Sequence, residues 1–242
     1  MITPLHDILR FPLIFWRVES AHQWSAVRLR AKLWSDSNEF AVEAERLTEA
    51  AFGPEVQFQG GDDDAYTEWA ERGHFAKHQQ RLLERSESYL WGLGIAGIYH
   101  QFERDVRGVV GVFTTPALND YELHKADFKH LCDYVERLGY SIRQSSAFAD
   151  VDVGRLISNA IKHGEGPSCS NLASKRPDLF TERRAVAGYR KAKIRLNVDD
   201  LRVGVAEFDQ VVLAISTIWP ELKAAVSASN DHEQERTREG MI

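Results

Sequence analysis

The spacing of apolar residues between positions 95 and 113 constrains this chain more than any other feature. Ile95, Ile98, Phe102, Val106, Val109 and Phe113 recur at intervals of three and four, with Tyr99 and Val110 beside them. That spacing lines them along one face of an α-helix, whereas in a strand it would scatter them over both faces. His100, Glu103, Arg104 and Arg107 fall on the other side. The helical reading extends back to Ala65, and Thr114-Thr115-Pro116 stops it, because proline disfavours helical geometry in the residue before it.

The same periodicity recurs along the chain. Glu19 to Phe52 reads as a helix with Val27, Trp34, Phe40 and Leu47 inward, ended by Gly53-Pro54. Upstream, Leu9, Phe11, Ile14, Phe15 and Trp16 are expected to tuck against the core. Gln59 to Asp64 reads as a loop whose aspartates favour the start of the next helix. Tyr121 to Leu138 is one amphipathic segment with Leu123, Phe128, Leu131 and Val135 inward, closed by Gly139. Phe148 to His163 follows the helix template through Val153, Leu156, Ile157, Ala160 and Ile161, and ends in Gly164-Glu165-Gly166-Pro167.

Beyond it, Asn171 to Ala187 is polar with few anchors, and Lys193 to Val198 alternates as one short extended stretch would. Asp199-Asp200 opens a last helix with Leu201, Val205, Phe208, Val212, Ile215 and Trp219 inward and Pro220 marking an end or a kink. From Ser227 the tail is polar and is expected to be disordered. The fold class is therefore all-α: a bundle of five or six helices with long connecting loops and little or no sheet. An N-terminal helical segment over 1–60 packs on a helical domain over 61–226, followed by the tail over 227–242.

With 242 residues, 43% hydrophobic and 27% charged, the chain has an ordinary globular composition, so neither a disordered nor a collagenous protein is expected. Cys132 and Cys169 stand alone, without the spacings of a disulfide scaffold or a zinc ribbon, which suggests a reducing compartment. The apolar stretch from Ile8 to Trp16 is far shorter than the roughly 20 residues of a membrane span and lacks the marks of a leader. A cytoplasmic protein with no membrane partner is expected.

Gly92-Leu93-Gly94-Ile95-Ala96-Gly97 matches GxGxxG, but a dinucleotide site needs a strand before it and a helix opening at it. Leu82 to Tyr89 reads as helix, so these glycines are read as permitting close helix packing. His74 and His78 lie one turn apart, as two metal ligands would, without HExxH or a third ligand. Asp62 to Asp64 lacks the spacing of a calcium loop. No cofactor or metal is expected.

Arg155 to Gly166 (RLISNAIKHGEG) carries the one constellation with chemical promise. With Ile157 inward, Arg155, Asn159 and Lys162 share the outward stripe, and His163 sits beside them at the helix C-terminus. Such groups can hold a phosphodiester and move a proton. They also suit a helix C-terminus for a plainer reason, since its dipole favours cationic side chains.

SNAIKHGEGPS, followed by NLASKRPDLF, resembles the second signature helix of HEPN-like helical domains, found in bacterial toxins, phage-defence proteins and nucleotide-associated enzymes. GIYHQFERDV at Gly97 to Val106 looks like the long early helix of such proteins, and VVLAISTIWPEL at Val211 to Leu222 like a terminal one. The resemblance implies metal-independent RNA cleavage at a homodimer interface, with an antitoxin or defence protein as partner. His163 and Asn159 match the family's pattern of Arg, often Asn, then His. Ser158 stands where the family has its Arg, and Arg155 lies one turn too early.

The segment from Lys175 to Arg195 adds Lys175, Arg176, Arg183, Arg184, Arg190, Lys191, Lys193 and Arg195 against Asp178 and Glu182. It nets +6 within a chain of −6 and leaves −12 on the remainder. A basic patch beside His163 is what RNA contact requires. The leading expectation is a HEPN-like protein that binds or cleaves RNA through His163, Asn159, Lys162 and Arg155, with Glu103 as a partner from the early helix and Lys175 to Lys191 on the phosphates. The competing expectation is a non-catalytic helical module that dimerises or binds a partner. Third comes a metal-dependent hydrolase built on His74 and His78.

Overall fold

The chain is all-α. The structure, a computed structural model, describes residues 5–52, 63–114, 120–180, 196 and 198–239. Seven α-helices lie among the described residues: α1 (Leu5–Phe52), α2 (Asp63–Thr114), α3 (Asp120–Lys125), α4 (Phe128–Arg137), α5 (Phe148–His163), α6 (Pro167–Lys175) and α7 (Val205–Glu239). Short 3-10 turns occur at Ile142–Gln144, Pro177–Leu179 and Val198–Asp200, and Phe180 and Leu201 form an isolated antiparallel bridge.

Two compact units can be distinguished. The first comprises Met1–Arg28, Ile95–Ser158 and Asp209–Ile242, and the second Leu29–Gly94 and Asn159–Phe208. Their limits fall inside α1, α2, α5 and α7 and cut across the 1–60, 61–226 and 227–242 division expected from sequence.

The first unit holds an aromatic core. Phe102 meets Trp219 edge-on with ring centroids 5.4 Å apart, Tyr99 meets Phe128 at 6.0 Å, and Phe128 stacks on Phe148 at 6.0 Å. Such pairs add about 1 kcal/mol each beyond the area they bury. Gly154 lets α5 approach α7, where a Cβ would stand 2.9 Å from Val211 Cγ1. Tyr140 and Ser145 both donate hydroxyl protons to Glu221, at 2.5 and 2.8 Å. Burial and that carboxylate together hold the Tyr140 phenol well above its ordinary pKa.

The second unit is organised around Trp91, 5.6 Å from Phe208, and around Ser88, whose Oγ donates to the Leu201 carbonyl and accepts from the Val203 N–H. Gly92 and Gly94 lie in the interior of α2 with their neighbours pressed against them. A Cβ on Gly92 would stand 2.5 Å from Ile161 Cδ1, and one on Gly94 would strike Leu33. Both glycines are buried as packing residues, whereas Gly97 is exposed. Leucine at an unobstructed helix position gains roughly 0.8 kcal/mol over glycine in propensity. Gly92→Leu is nevertheless expected to destabilise by about 1–3 kcal/mol through overpacking. Gly108→Ala, with nothing within 4 Å of its added Cβ, is expected to stabilise by about 0.5–1 kcal/mol. Urea unfolding midpoints of the two variants check the opposite signs.

Several expectations are corrected. α1 begins at Leu5, and its buried stripe is Phe15, Val18, His22, Ala26 and Leu33. Val27, Trp34, Phe40 and Leu47 are exposed, as is Trp16, because the helix carries apolar residues on two faces and the tryptophans lie on the outer one. Phe15 is buried as expected, while the side chains of Leu9 and Phe11 lie outside the described ones. The 121–138 segment divides into α3 and α4, because the Asp127 carboxylate accepts from the His130 N–H and caps a new helix. α6 occupies the polar stretch after Pro167, buried through Cys169 and Leu172.

The last helix starts at Val205 rather than Asp199, and Leu201 belongs to the bridge with Phe180. It continues through exposed Pro220, which forgoes one hydrogen bond to the Ser216 carbonyl, and runs to Glu239, so the expected disordered tail is helical over 227–239. α7 is long and apolar enough over Val205–Ser229 to cross a membrane by length and composition. Its apolar residues Val211, Ala214, Ile215, Ile218, Trp219, Leu222 and Val226 are buried in the protein, as those of a core helix are. The extended stretch expected at Lys193 to Val198 lies outside the described residues except for buried Leu196 and the turn at Val198.

Candidate functional site

α5 carries Arg155, Ser158, Asn159, Lys162 and His163, and its boundaries coincide with those expected from sequence. Val151, Val153, Leu156, Ile157, Ala160 and Ile161 are buried, which orients the remaining positions. The helix ends because Gly164 adopts φ +72°, the left-handed conformation that glycine tolerates best, and its N–H returns to the Ala160 carbonyl at 2.8 Å. The Gly164 carbonyl accepts from the Val198 N–H, also at 2.8 Å, which ties the end of α5 to the Val198–Asp200 turn. Gly166, at φ +117°, then leads into α6 with Pro167 in its first turn.

Within the first unit the candidates are already engaged. Arg155 is held by Asp152, its Nε donating at 2.8 Å, and its guanidinium lies 5.7 Å from the Phe128 ring centroid. Glu103 accepts from Arg107 at 2.9 Å and lies 3.6 Å from His100 Nδ1. Ser158 is fully buried and shares a 3.1 Å hydrogen bond with His100 Nε2. His100 is a partner the sequence reading passed over, since 58 residues separate it from Ser158 and no local spacing announces the contact.

Ser158, His100 and Glu103 stand in the order of hydroxyl, base and orienting carboxylate used for nucleophilic catalysis. The hydroxyl is sealed inside α5, however, and Glu103 is committed to Arg107. No substrate atom reaches that serine, so the trio acts as packing with its polar groups satisfied.

Within the second unit, Lys162 and His163 are exposed on the last turn of α5 and have no partner among the described residues, while Asn159 is half-buried one turn earlier. Lys175 is exposed at the end of α6. Arg176 is spoken for: its Nε donates to both Asp178 carboxylate oxygens at 3.0 Å, and Nη2 lies 2.7 Å from Asp178 and 3.5 Å from Glu207. The Arg176 guanidinium holds the Asp178 carboxyl below the usual carboxylate range. Arg183, Arg184, Arg190 and Lys191 lie outside the described residues.

Both cysteines are buried and free. Burial pushes the Cys132 thiol up to about 11 and raises that of Cys169, so neither is a reactive thiolate. His74 and His78 are exposed on α2, and among the described residues no group of three or more His, Cys, Asp or Glu side chains is arranged to hold a metal. The GxGxxG glycines lie within α2, where the backbone N–H groups belong to the helix ladder and none is left to receive a pyrophosphate. Compared with protein-family models, with curated proteins and with solved structures, the chain matches none.

Proposed function

We propose that this chain is a HEPN-like helical protein that binds RNA through the C-terminal end of α5 and does not itself cleave it. The observation that carries this reading is the contrast between Arg155 and His163, across a little over two turns of one helix. Ser158, at the position of the family's arginine, is buried against His100, and Arg155 is neutralised by Asp152, whereas Lys162 and His163 are exposed. Cleavage of the HEPN type needs the motif arginine on the scissile phosphate beside its histidine, and position 158 holds a buried, uncharged serine instead. Binding needs only an exposed cation, which Lys162 supplies.

Fluorescence anisotropy with labelled mixed-sequence RNA tests the contact. Lys162→Ala combined with His163→Ala is expected to weaken binding roughly five- to tenfold at low salt and to flatten the dependence of log affinity on log salt by about one. Both residues are exposed, so the melting temperature should not move. Unchanged affinity and slope would remove the end of α5 from the account.

A further inference from the structure

The unexplained feature of this molecule is the outer face of α1. Trp16, Trp24, Val27, Trp34 and Val42 are exposed at 66%, 65%, 70%, 53% and 67%. Positions 16, 20, 24, 27, 31, 34, 38 and 42 follow one another at steps of four and three, and none carries a charge. At ~100° per residue this stripe lies about 150° around the helix from the buried stripe of Phe15, Val18, His22, Ala26 and Leu33. The steps from 24 to 38 are those of a coiled-coil seam.

The charges beside that stripe are divided along its length. Residues 17–32 hold Arg17, Arg28, Arg30 and Lys32 against Glu19, a net +3, and residues 36–49 hold Asp36, Glu39, Glu43, Glu45 and Glu49 against Arg46, a net −4. Two such helices laid parallel would set like charges together, and laid antiparallel they set basic half against acidic half. We propose that α1 pairs through its outer face with α1 of a second copy of this chain, antiparallel about a two-fold axis.

In the register that seats Trp34 over the small Ala31 of the other copy, Trp24 comes within one residue of Val42, and Arg28 and Arg30 fall on either side of Asp36, with Glu39 less than a turn away. Two of the contacts these charges make are local: Lys32 pairs with Asp36 on its own helix, and Arg28 lies over Trp24 at 4.8 Å. Exchanging them costs little. Six tryptophans and their neighbours cover on the order of 1,000 Å² in such a pair, which reaches the range of specific interfaces. A membrane surface would also accept exposed tryptophans, but it would leave the acidic half of α1 against anionic headgroups. The proposal stands independently of RNA binding.

A charge exchange tests it. One variant carries Arg28→Glu and Arg30→Glu, the other Asp36→Lys and Glu39→Lys, and each is followed by analytical ultracentrifugation with helicity as the folding control. Wild type is expected to be dimeric, each variant alone to dissociate at least about tenfold more readily, and their equimolar mixture to recover the dimer as a heterodimer. Trp24→Glu with Trp34→Glu is expected to give a folded monomer. A monomeric wild type, a dimer indifferent to these changes, a mixture that stays monomeric, or a monomer that floats with anionic vesicles through these tryptophans would each overturn the proposal.

Discussion

Ser158→Arg, which places an arginine where the proposed HEPN-like reading would have one, is expected to cost about 4 kcal/mol of stability or more and to yield no RNA cleavage. The position is fully buried, its hydroxyl is bonded to His100, and its flanks are the buried Ile157 and the half-buried Asn159. A guanidinium there has no carboxylate waiting, since Glu103 is held by Arg107 and Asp152 by Arg155. The new side chain must leave the core or drag water into it, and the His100 ring loses its partner. Circular-dichroism melting should fall by roughly 10 °C or more. A folded Ser158→Arg protein that cuts RNA would show residue 158 turned to solvent and would overturn the account of α5.

The second large effect is a pH dependence carried by His22. Its ring is buried on the inward face of α1, and neither ring nitrogen has a hydrogen-bond partner among the described residues. Burial lowers its pKa from 6.5 to about 4, outweighing the nearby Val212 backbone, which acts in the opposite direction. Between those two values the unfolded chain carries a proton that the folded chain refuses. The stability contributed by neutral His22 is therefore complete above about pH 6.5 and is lost as the pH falls toward 4, at up to about 1.4 kcal/mol per unit and about 3 kcal/mol in all. His22→Leu should remove that component. Denaturant unfolding of both proteins at pH 7 and pH 4.5 checks it: wild type should lose about 2–3 kcal/mol more than the variant, and equal losses would mean the ring is hydrated in the folded protein.

How much the sequence revealed depended on whether a helix has one apolar face or two. α2 and α5 have one: the inward residues from Ile95 to Val110 are apolar, as are those from Val153 to Ile161 except Ser158, the outward ones are mostly polar, and both helices lie where the spacing places them. α1 has two, and its larger side chains lie on the outer one, so weighting by hydrophobicity selects Val27 and Trp34 over the buried Ala26 and His22. α6 is hidden in a polar stretch because Cys169 and Leu172 are its only buried residues.

The packing role of Gly92 and Gly94 was legible from the absence of a strand before them. The end of α5 was legible in outline, since Lys162 and His163 are exposed and Ile157 is inward. Asp152, which neutralises Arg155, lies three residues before it at helical spacing, but the burial of Ser158 was not legible, because His100 reaches it from a distant part of the chain. Contacts of that span leave no periodic trace in a single sequence.

RNA binding without cleavage is the centre of this account, and one experiment addresses it directly. End-labelled mixed-sequence RNA is incubated with excess protein, with and without chelator, and each sample is divided between a native gel and a denaturing gel. A retarded band on the first with full-length RNA on the second is the expected result. RNA fragments that persist with chelator and vanish in His163→Ala would contradict it and make the chain a nuclease.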